Sequence, residues 1–224
     1  MIQQLKFMLH LKFVRVLFVR IMFVGLILQI NGAYANDITS KPEKTILIVG
    51  DSLSMGHGIG LKNLWVTILQ QEIKSKKYPY RIVNASIGGD TTLSGLNRLP
   101  KSLVAHQPQI VILELGANDG LRGLPLKQTK LNIEKMIKII RQKNIKLLLI
   151  GMQLPPNYGP AYTEKFKLIY YELAKKYQVQ FLPFMLTGVA GIKNYVQADG
   201  IHPNAPAQPL VFNNIWKKLK LMMN

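Results

Sequence analysis

Four short segments of the chain carry side chains suited to acyl transfer. Gly50-Asp51-Ser52-Leu53-Ser54 follows the apolar run Ile46-Leu47-Ile48-Val49, so a serine hydroxyl stands where a strand gives way to a loop. Asp199-Gly200-Ile201-His202-Pro203 places a carboxylate three residues before an imidazole, with a glycine between them to tighten the turn. A serine hydroxyl becomes a nucleophile when a neutral imidazole takes its proton, and that imidazole needs an acceptor on its other nitrogen. Ser52, His202 and Asp199 can fill these roles. Attack on an acyl carbonyl also develops negative charge on its oxygen, and prearranged donors there stabilise the transition state. Gly88-Gly89-Asp90 and Gly116-Ala117-Asn118-Asp119 offer such donors, a backbone N–H at Gly89 and a side-chain amide at Asn118.

Each segment taken singly reads equally well as a turn or a helix cap. Their joint placement carries the argument, because all four fall at strand ends or helix starts on one edge of a sheet. The serine motif is not G-x-S-x-G, so the strained elbow of the α/β-hydrolase fold is not expected. Asp51 is expected to brace the turn through backbone hydrogen bonds rather than to move protons. His57 lies near Ser52 but has no carboxylate obviously placed to orient it, and His106 ends a helix as a solvated cation.

The elements that must hold these residues follow from the hydrophobic pattern. Thr45 to Val49, Arg81 to Ala85, Ile110 to Leu113 and Lys146 to Ile150 read as strands, with Val179 to Leu182 a weaker fifth. Runs this apolar suit strands covered on both faces, as in a parallel sheet. Between them, Asn63 to Ile73, Thr92 to His106, Gln128 to Lys143 and Thr163 to Tyr177 read as helices, and a last one runs from about Pro206 or Pro209 to Met222. Pro100 is expected to end or kink the second helix. This alternation predicts an α/β fold, a three-layer α/β/α sandwich whose five parallel strands take the order 2-1-3-4-5.

Residues 1–35 are set apart as a secretory signal. Lys6, Lys12, Arg15 and Arg20 form a basic segment without an acid, Ile21 to Ile30 is apolar, and Ala33-Tyr34-Ala35 fits a cleavage site near Ala35. The chain from Asn36 to Asn224 is then one catalytic domain, exported to the periplasm or beyond. Removing the four basic residues lowers the formal charge from +18 to +14. Such a charge favours transient contact with anionic membrane surfaces. Lys127, Lys130, Lys135 and Lys138 are scattered along a helix without a nucleic-acid motif, so no nucleic-acid partner is expected. The chain contains no cysteine, which excludes disulfides and lipid-modified cysteines. No metal site and no cofactor are expected, and a monomer is.

The segments resemble the four blocks of the GDSL, or SGNH, hydrolase family. Ser52, Gly89, Asn118 and His202 match its name-giving residues and Asp199 its triad acid. Asn84 to Thr92, Glu114 to Gly123, Leu154 to Gly159 and Asp199 to Gln208 are similar to the secreted bacterial branch with thioesterase, arylesterase and lysophospholipase activity. The resemblance implies a serine hydrolase with Ser52 as nucleophile, His202 as base and Asp199 as its orienter. It also implies an oxyanion hole made of the Ser52 and Gly89 N–H groups and the Asn118 amide. Gly88 stands where the best-known members carry serine, which could loosen that loop without removing the Gly89 donor.

The expected substrates are small acyl thioesters, carboxylic esters and lysophospholipids. The loop from Leu115 to Leu126 is expected to line an acyl groove through Leu121 and Leu124, with the segment from Met152 to Tyr158 opposite, although these side chains could equally pack the loop on the domain. Two alternatives stand beside this reading. One is a carbohydrate O-acetyl esterase acting on cell-envelope glycans, and the other is a non-catalytic lipid-binding module.

Overall fold

The longest buried run builds the centre of the fold. In strand β1 (Lys44–Gly50) every residue after Lys44 is buried, as is every residue of β3 (Ile110–Glu114), so both faces of these strands are covered. The computed structural model describes residues 43–223. It adds β2 (Tyr80–Asn84), β4 (Lys146–Ile150) and β5 (Gln180–Leu182), all parallel, in the order β2-β1-β3-β4-β5. The expected sheet order is the observed one.

Seven α-helices cover the sheet: α1 (Ser52–Met55), α2 (Trp65–Ser75), α3 (Thr92–His106), α4 (Ala117–Leu121), α5 (Leu126–Gln142), α6 (Pro160–Tyr177) and α7 (Gln208–Leu219). Helix α2 packs on α7, whereas α5 packs on both α3 and α6, giving the outer layers of the sandwich. Helix α5 shows why: Ile133, Met136, Ile137 and Ile140 form one buried stripe and its lysines stay outside it. Each such aliphatic side chain contributes about 1.5–3 kcal/mol when fully buried. Helix α3 runs through Pro100 to His106, so the proline does not end it.

The segment expected to be a signal, residues 1–35, lies outside the described residues. Among the described residues no helix is long and apolar enough to cross a membrane.

The strand order matters for function. Connections from β1 and β3 depart in opposite directions along the sheet, and open α/β folds leave a crevice at the carboxyl ends of strands flanking such a point. The register sets Gly50, the last residue of β1, beside Glu114, the last residue of β3. Ser52 follows the end of β1, Gly89 that of β2 and Asn118 that of β3, each within a few residues.

Candidate active site

Ser52 opens α1, and the turn before it is fixed by Asp51. The Asp51 side chain caps the helix by accepting a hydrogen bond from the Leu53 N–H at 3.0 Å, and Gly56 closes the helix in the left-handed region (φ 91°). Because Ser52 is the first helical residue, its N–H has no intrahelical acceptor. On the opposite side of the cleft Gly200 takes φ 70°, which lets the Asp199 loop fold back on itself. Oδ1 of Asp199 accepts from the N–H groups of Ile201 and His202 at 2.9 and 3.0 Å. Its Oδ2 lies 2.6 Å from Nδ1 of His202, and Nε2 of His202 lies 2.8 Å from Oγ of Ser52. With the proton on Nδ1 held by the carboxylate, Nε2 is free to accept from the serine hydroxyl. The three residues expected to cooperate are thus in one hydrogen-bonded line.

The two further residues expected to donate to an oxyanion follow the ends of β2 and β3, and of these Asn118 lines the same cleft as Ser52 and His202. Gly89 adopts φ 78°, a conformation natural to glycine, and its carbonyl accepts from Arg122 at 3.0 Å. Among the described residues the Gly89 N–H donates to no protein acceptor. Nδ2 of Asn118 donates to the Asp90 carbonyl at 3.0 Å and to Oδ2 of Asp51 at 3.2 Å. Of the two bonds, the longer one to Asp51 is the weaker hold. Gly88 does not leave its loop slack. Its N–H points at the Met55 sulfur, and a Cβ there would press on the Met55 methyl at 3.0 Å.

Three groups without an expected role set this geometry, Glu114 and Asp119 buried and Arg98 half-buried. Glu114 is fully buried, with Oε2 bonded to the Ser54 hydroxyl at 2.5 Å and to the Asp51 N–H at 3.3 Å, while Oε1 has no hydrogen-bond partner among the described residues. A Cβ on Gly50 would collide with that carboxyl, so the glycine is what admits it. Arg98 of α3 ties three strand-end groups together, reaching Asp90 at 2.6 Å, the Ala85 carbonyl at 2.6 Å and the Gly50 carbonyl at 3.1 Å. Asp119 holds α4 against the start of α3 through the Thr92 N–H at 2.8 Å. Nothing local in the sequence marks them: Glu114 reads as the solvated end of an apolar run, and Arg98 and Asp119 lie in polar segments.

The carboxyl groups differ in charge preference. Burial pushes Asp51 up to about 6, against the Leu53 N–H, the positive field of His202 and a hydrogen bond with Glu114, all of which favour its anion. Burial, with the neighbouring Asp51 charge, holds Glu114 well above the ordinary range. Asp199 is partly desolvated, which alone would raise it, but the N–H groups of His202 and Ile201 and the His202 ring outweigh this and bring it to about 2.

A cleft of about 650 Å³ opens from Ser52, Asn118 and His202. Its walls are largely apolar, built from Leu121, Met152, Leu154, Pro155, Phe184 and Leu186 among others. Leu121 is thus among the lining residues. Leu124 and Tyr158 are not among the lining residues. Leu124 is exposed on the loop, and the Tyr158 hydroxyl donates to the Leu121 carbonyl at 3.0 Å, bracing the wall from outside. His57 is exposed beside His202, with ring centroids 4.5 Å apart.

Known proteins repeat this arrangement of segments. Residues 48–208 match the GDSL-like Lipase/Acylhydrolase family. The esterase TesA of Pseudomonas aeruginosa is 45% identical over 180 residues, which is 80% of this chain and 90% of that protein. The thioesterase 1/protease 1/lysophospholipase L1 of Escherichia coli is 42% identical over 80% of this chain and 85% of its own. Among solved structures, TesA superposes with a TM-score of 0.78 at 45% identity, covering 80% of this chain and 99% of TesA. The esterase EstA from Pseudoalteromonas, inhibited by monoethylphosphonate, gives a TM-score of 0.76 at 35% identity, covering 80% and 97%. The chain belongs to the GDSL-like lipase/acylhydrolase family and is an ester hydrolase.

Proposed function

We propose that the chain is a multifunctional serine hydrolase that cleaves acyl esters, acyl thioesters and lysophospholipids through an acyl-enzyme on Ser52. The observation that carries this reading is the line from Asp199 through His202 to Ser52, with separations of 2.6 and 2.8 Å, ending at the mouth of an apolar cleft. His202 takes the Ser52 proton as Oγ attacks the acyl carbon. The oxyanion is met by the N–H groups of Ser52 and Gly89 and by the Asn118 amide. The leaving alcohol or thiol departs with the proton from His202, and a water activated by the same imidazole then releases the acid.

The cleft supports acyl chains over acetylated sugars. Its Leu, Met, Phe and Pro walls offer little to pair with sugar hydroxyls, and unpaired hydroxyls are costly to bury. The relatives named for esterase, thioesterase and lysophospholipase activity point the same way. The basic segment, apolar run and Ala33-Tyr34-Ala35 support export to the periplasm with removal of residues 1–35, where membrane-derived lysolipids are at hand.

The test is a hydrolysis panel of p-nitrophenyl esters, acyl thioesters, a lysophospholipid and an acetylated glycan, each run with the natural protein and with Ser52→Ala. Turnover should rise with acyl length on the first three classes and should fall roughly 10⁶-fold in the variant, as for an analogous serine nucleophile. Comparable rates for the variant overturn the nucleophile. Preference for the glycan overturns the substrate class, and acyl-chain binding without turnover would make the protein a lipid carrier.

A further inference from the structure

The hydrolytic scheme gives His57 no task, yet its place is tightly fixed. We propose that His57, Asp199 and His202 form a binding site for a zinc-like divalent ion, and that an ion held there reversibly switches the hydrolase off. The binding half stands on geometry alone. The inhibitory half rests on the reading of His202 as base.

One ligand atom from each of the three side chains lies within 4.8 Å of the others. Zinc bonds of about 2.0–2.2 Å in tetrahedral geometry put ligand atoms roughly 3.4 Å apart, so closure needs shifts of about an ångström at exposed side chains. The ring nitrogens of His57 make no hydrogen bond among the described residues, and nothing has to be broken for them to turn. Both His57 and Asp199 are exposed, so an ion can enter from solvent.

The two loops that carry the ligands are joined beforehand. Gln197 Nε2 donates to the His57 carbonyl at 2.7 Å and to the Pro203 carbonyl at 3.1 Å. The Gln197 N–H donates to the His202 carbonyl at 2.8 Å, and the His57 N–H to the Ser52 carbonyl at 3.2 Å. Gly58, at φ 70°, makes room for this clasp, because a Cβ there would run into the Gln197 amide. One side chain thus registers a loop near residue 57 against one near residue 202. This lowers the ordering cost that a metal otherwise meets when it gathers distant ligands.

Two imidazoles and a carboxylate are the donors of zinc and its neighbours rather than of magnesium or calcium, which prefer all-oxygen sets. Water completes the coordination. The consequence for catalysis follows from the number of nitrogens on His202. Its Nδ1 is bonded to Asp199 and its Nε2 to Ser52. An ion on Nε2 displaces the serine hydroxyl, and an ion on Nδ1 leaves the ring proton on Nε2, which can then no longer accept from Ser52, and parts the ring from the carboxylate. Either mode breaks the line through which Ser52 loses its proton.

The experiment uses protein without a histidine tag, in a buffer that does not bind metals. Zinc chloride is titrated calorimetrically into Ser52→Ala, with and without a second change of His57→Ala or His57→Gln. One-to-one binding is expected, weakened about tenfold or more by either change at His57. Ester hydrolysis by the natural protein should fall with zinc occupancy, recover with a chelator and ignore magnesium. His57→Ala alone should keep its zinc-free rate within about twofold and resist zinc, a resistance matching its lost affinity. No zinc binding, or binding indifferent to both His57 changes, overturns the site. His57-dependent binding that leaves hydrolysis untouched overturns the switch. If Ser52→Ala binds zinc but still hydrolyses esters, the site stands and the nucleophile assignment falls.

Discussion

Two aspartates flank the Ser52 hydroxyl, and the protein treats them in opposite ways. Asp51 is fully buried at the sheet edge, bonded to backbone and to Asn118, and its carboxyl is pushed up to about 6. Asp199 sits on an exposed turn, takes two backbone N–H groups and the His202 ring, and is held down at about 2. The same side chain is a brace that holds its proton up to about pH 6 in one region and an anion down to about pH 2 in the other. The Ser52 turn is therefore held by buried hydrogen bonds, and the His202 ring by charge-assisted ones that solvent can reach. Damage on the Asp199 side should appear in turnover, and damage on the Asp51 side in stability.

The largest break in this contrast is Asp199→Ala. Without an ionised acceptor the His202 ring loses both its tautomer and its orientation. Turnover on a p-nitrophenyl ester should drop about 10⁴-fold, in line with the acid of an analogous triad. The side chain is exposed and the two backbone N–H groups it leaves can turn to water, so the thermal midpoint should fall by only a few degrees. A large drop in midpoint with turnover preserved would reverse the assignment of roles.

Asn118→Ala tests where the two regions meet. The residue donates to the buried Asp51 and is also the expected side-chain donor to the oxyanion. Losing one oxyanion donor should cost about 10²–10³-fold in turnover with KM nearly constant. If Asn118 serves only to brace Asp51, turnover will instead stay within a few fold while stability falls.

The contrast also separates what the sequence disclosed from what it concealed. The sheet order was legible because Ile46 to Val49 and Ile110 to Leu113 are unbroken apolar runs, and only strands covered on both faces tolerate them. Ser52, Asn118 and His202 were legible because chemistry at a strand end leaves polar residues flanked by glycines. Glu114 was not. A carboxylate after an apolar run reads as the strand's solvated end, yet β3 carries Glu114 into full burial beside Gly50. Its neutral form is stable only because of that surrounding, which no local window reveals. Leu124 and Tyr158 failed for the opposite reason. Their apolar character suggested a groove, but which side of a loop faces the cleft depends on how α4 docks through Asp119 and Thr92.

The smallest expected effect, and the sharpest on the buried side, concerns Glu114→Gln and the pH dependence of stability. Asp51 and Glu114 both keep protons in the folded protein that the unfolded chain releases near the ordinary carboxyl values of 3.8 and 4.5. A raised folded value means that the stabilising contribution is complete below those values and is lost as pH rises through the folded ones. Asp199 has the reverse sign, its contribution being present above 3.8 and lost as pH falls toward 2, so it is constant in the window that matters here. Urea unfolding of the natural protein should thus show stability declining between about pH 4 and 6 from the Asp51 carboxyl, with Glu114 adding to the decline from about pH 4.5 upward. Glutamine copies the shape of the protonated acid and cannot ionise. The variant should therefore stay within about 1.5 kcal/mol of the natural protein near pH 5, where the loss is that of one neutral hydrogen bond at most. Its curve should be the flatter of the two as pH increases. A natural protein whose stability climbs steadily from pH 4 to 7, with Glu114→Gln several kcal/mol weaker throughout, would mean that the buried pair is ionised and that the nucleophile turn rests on charge after all.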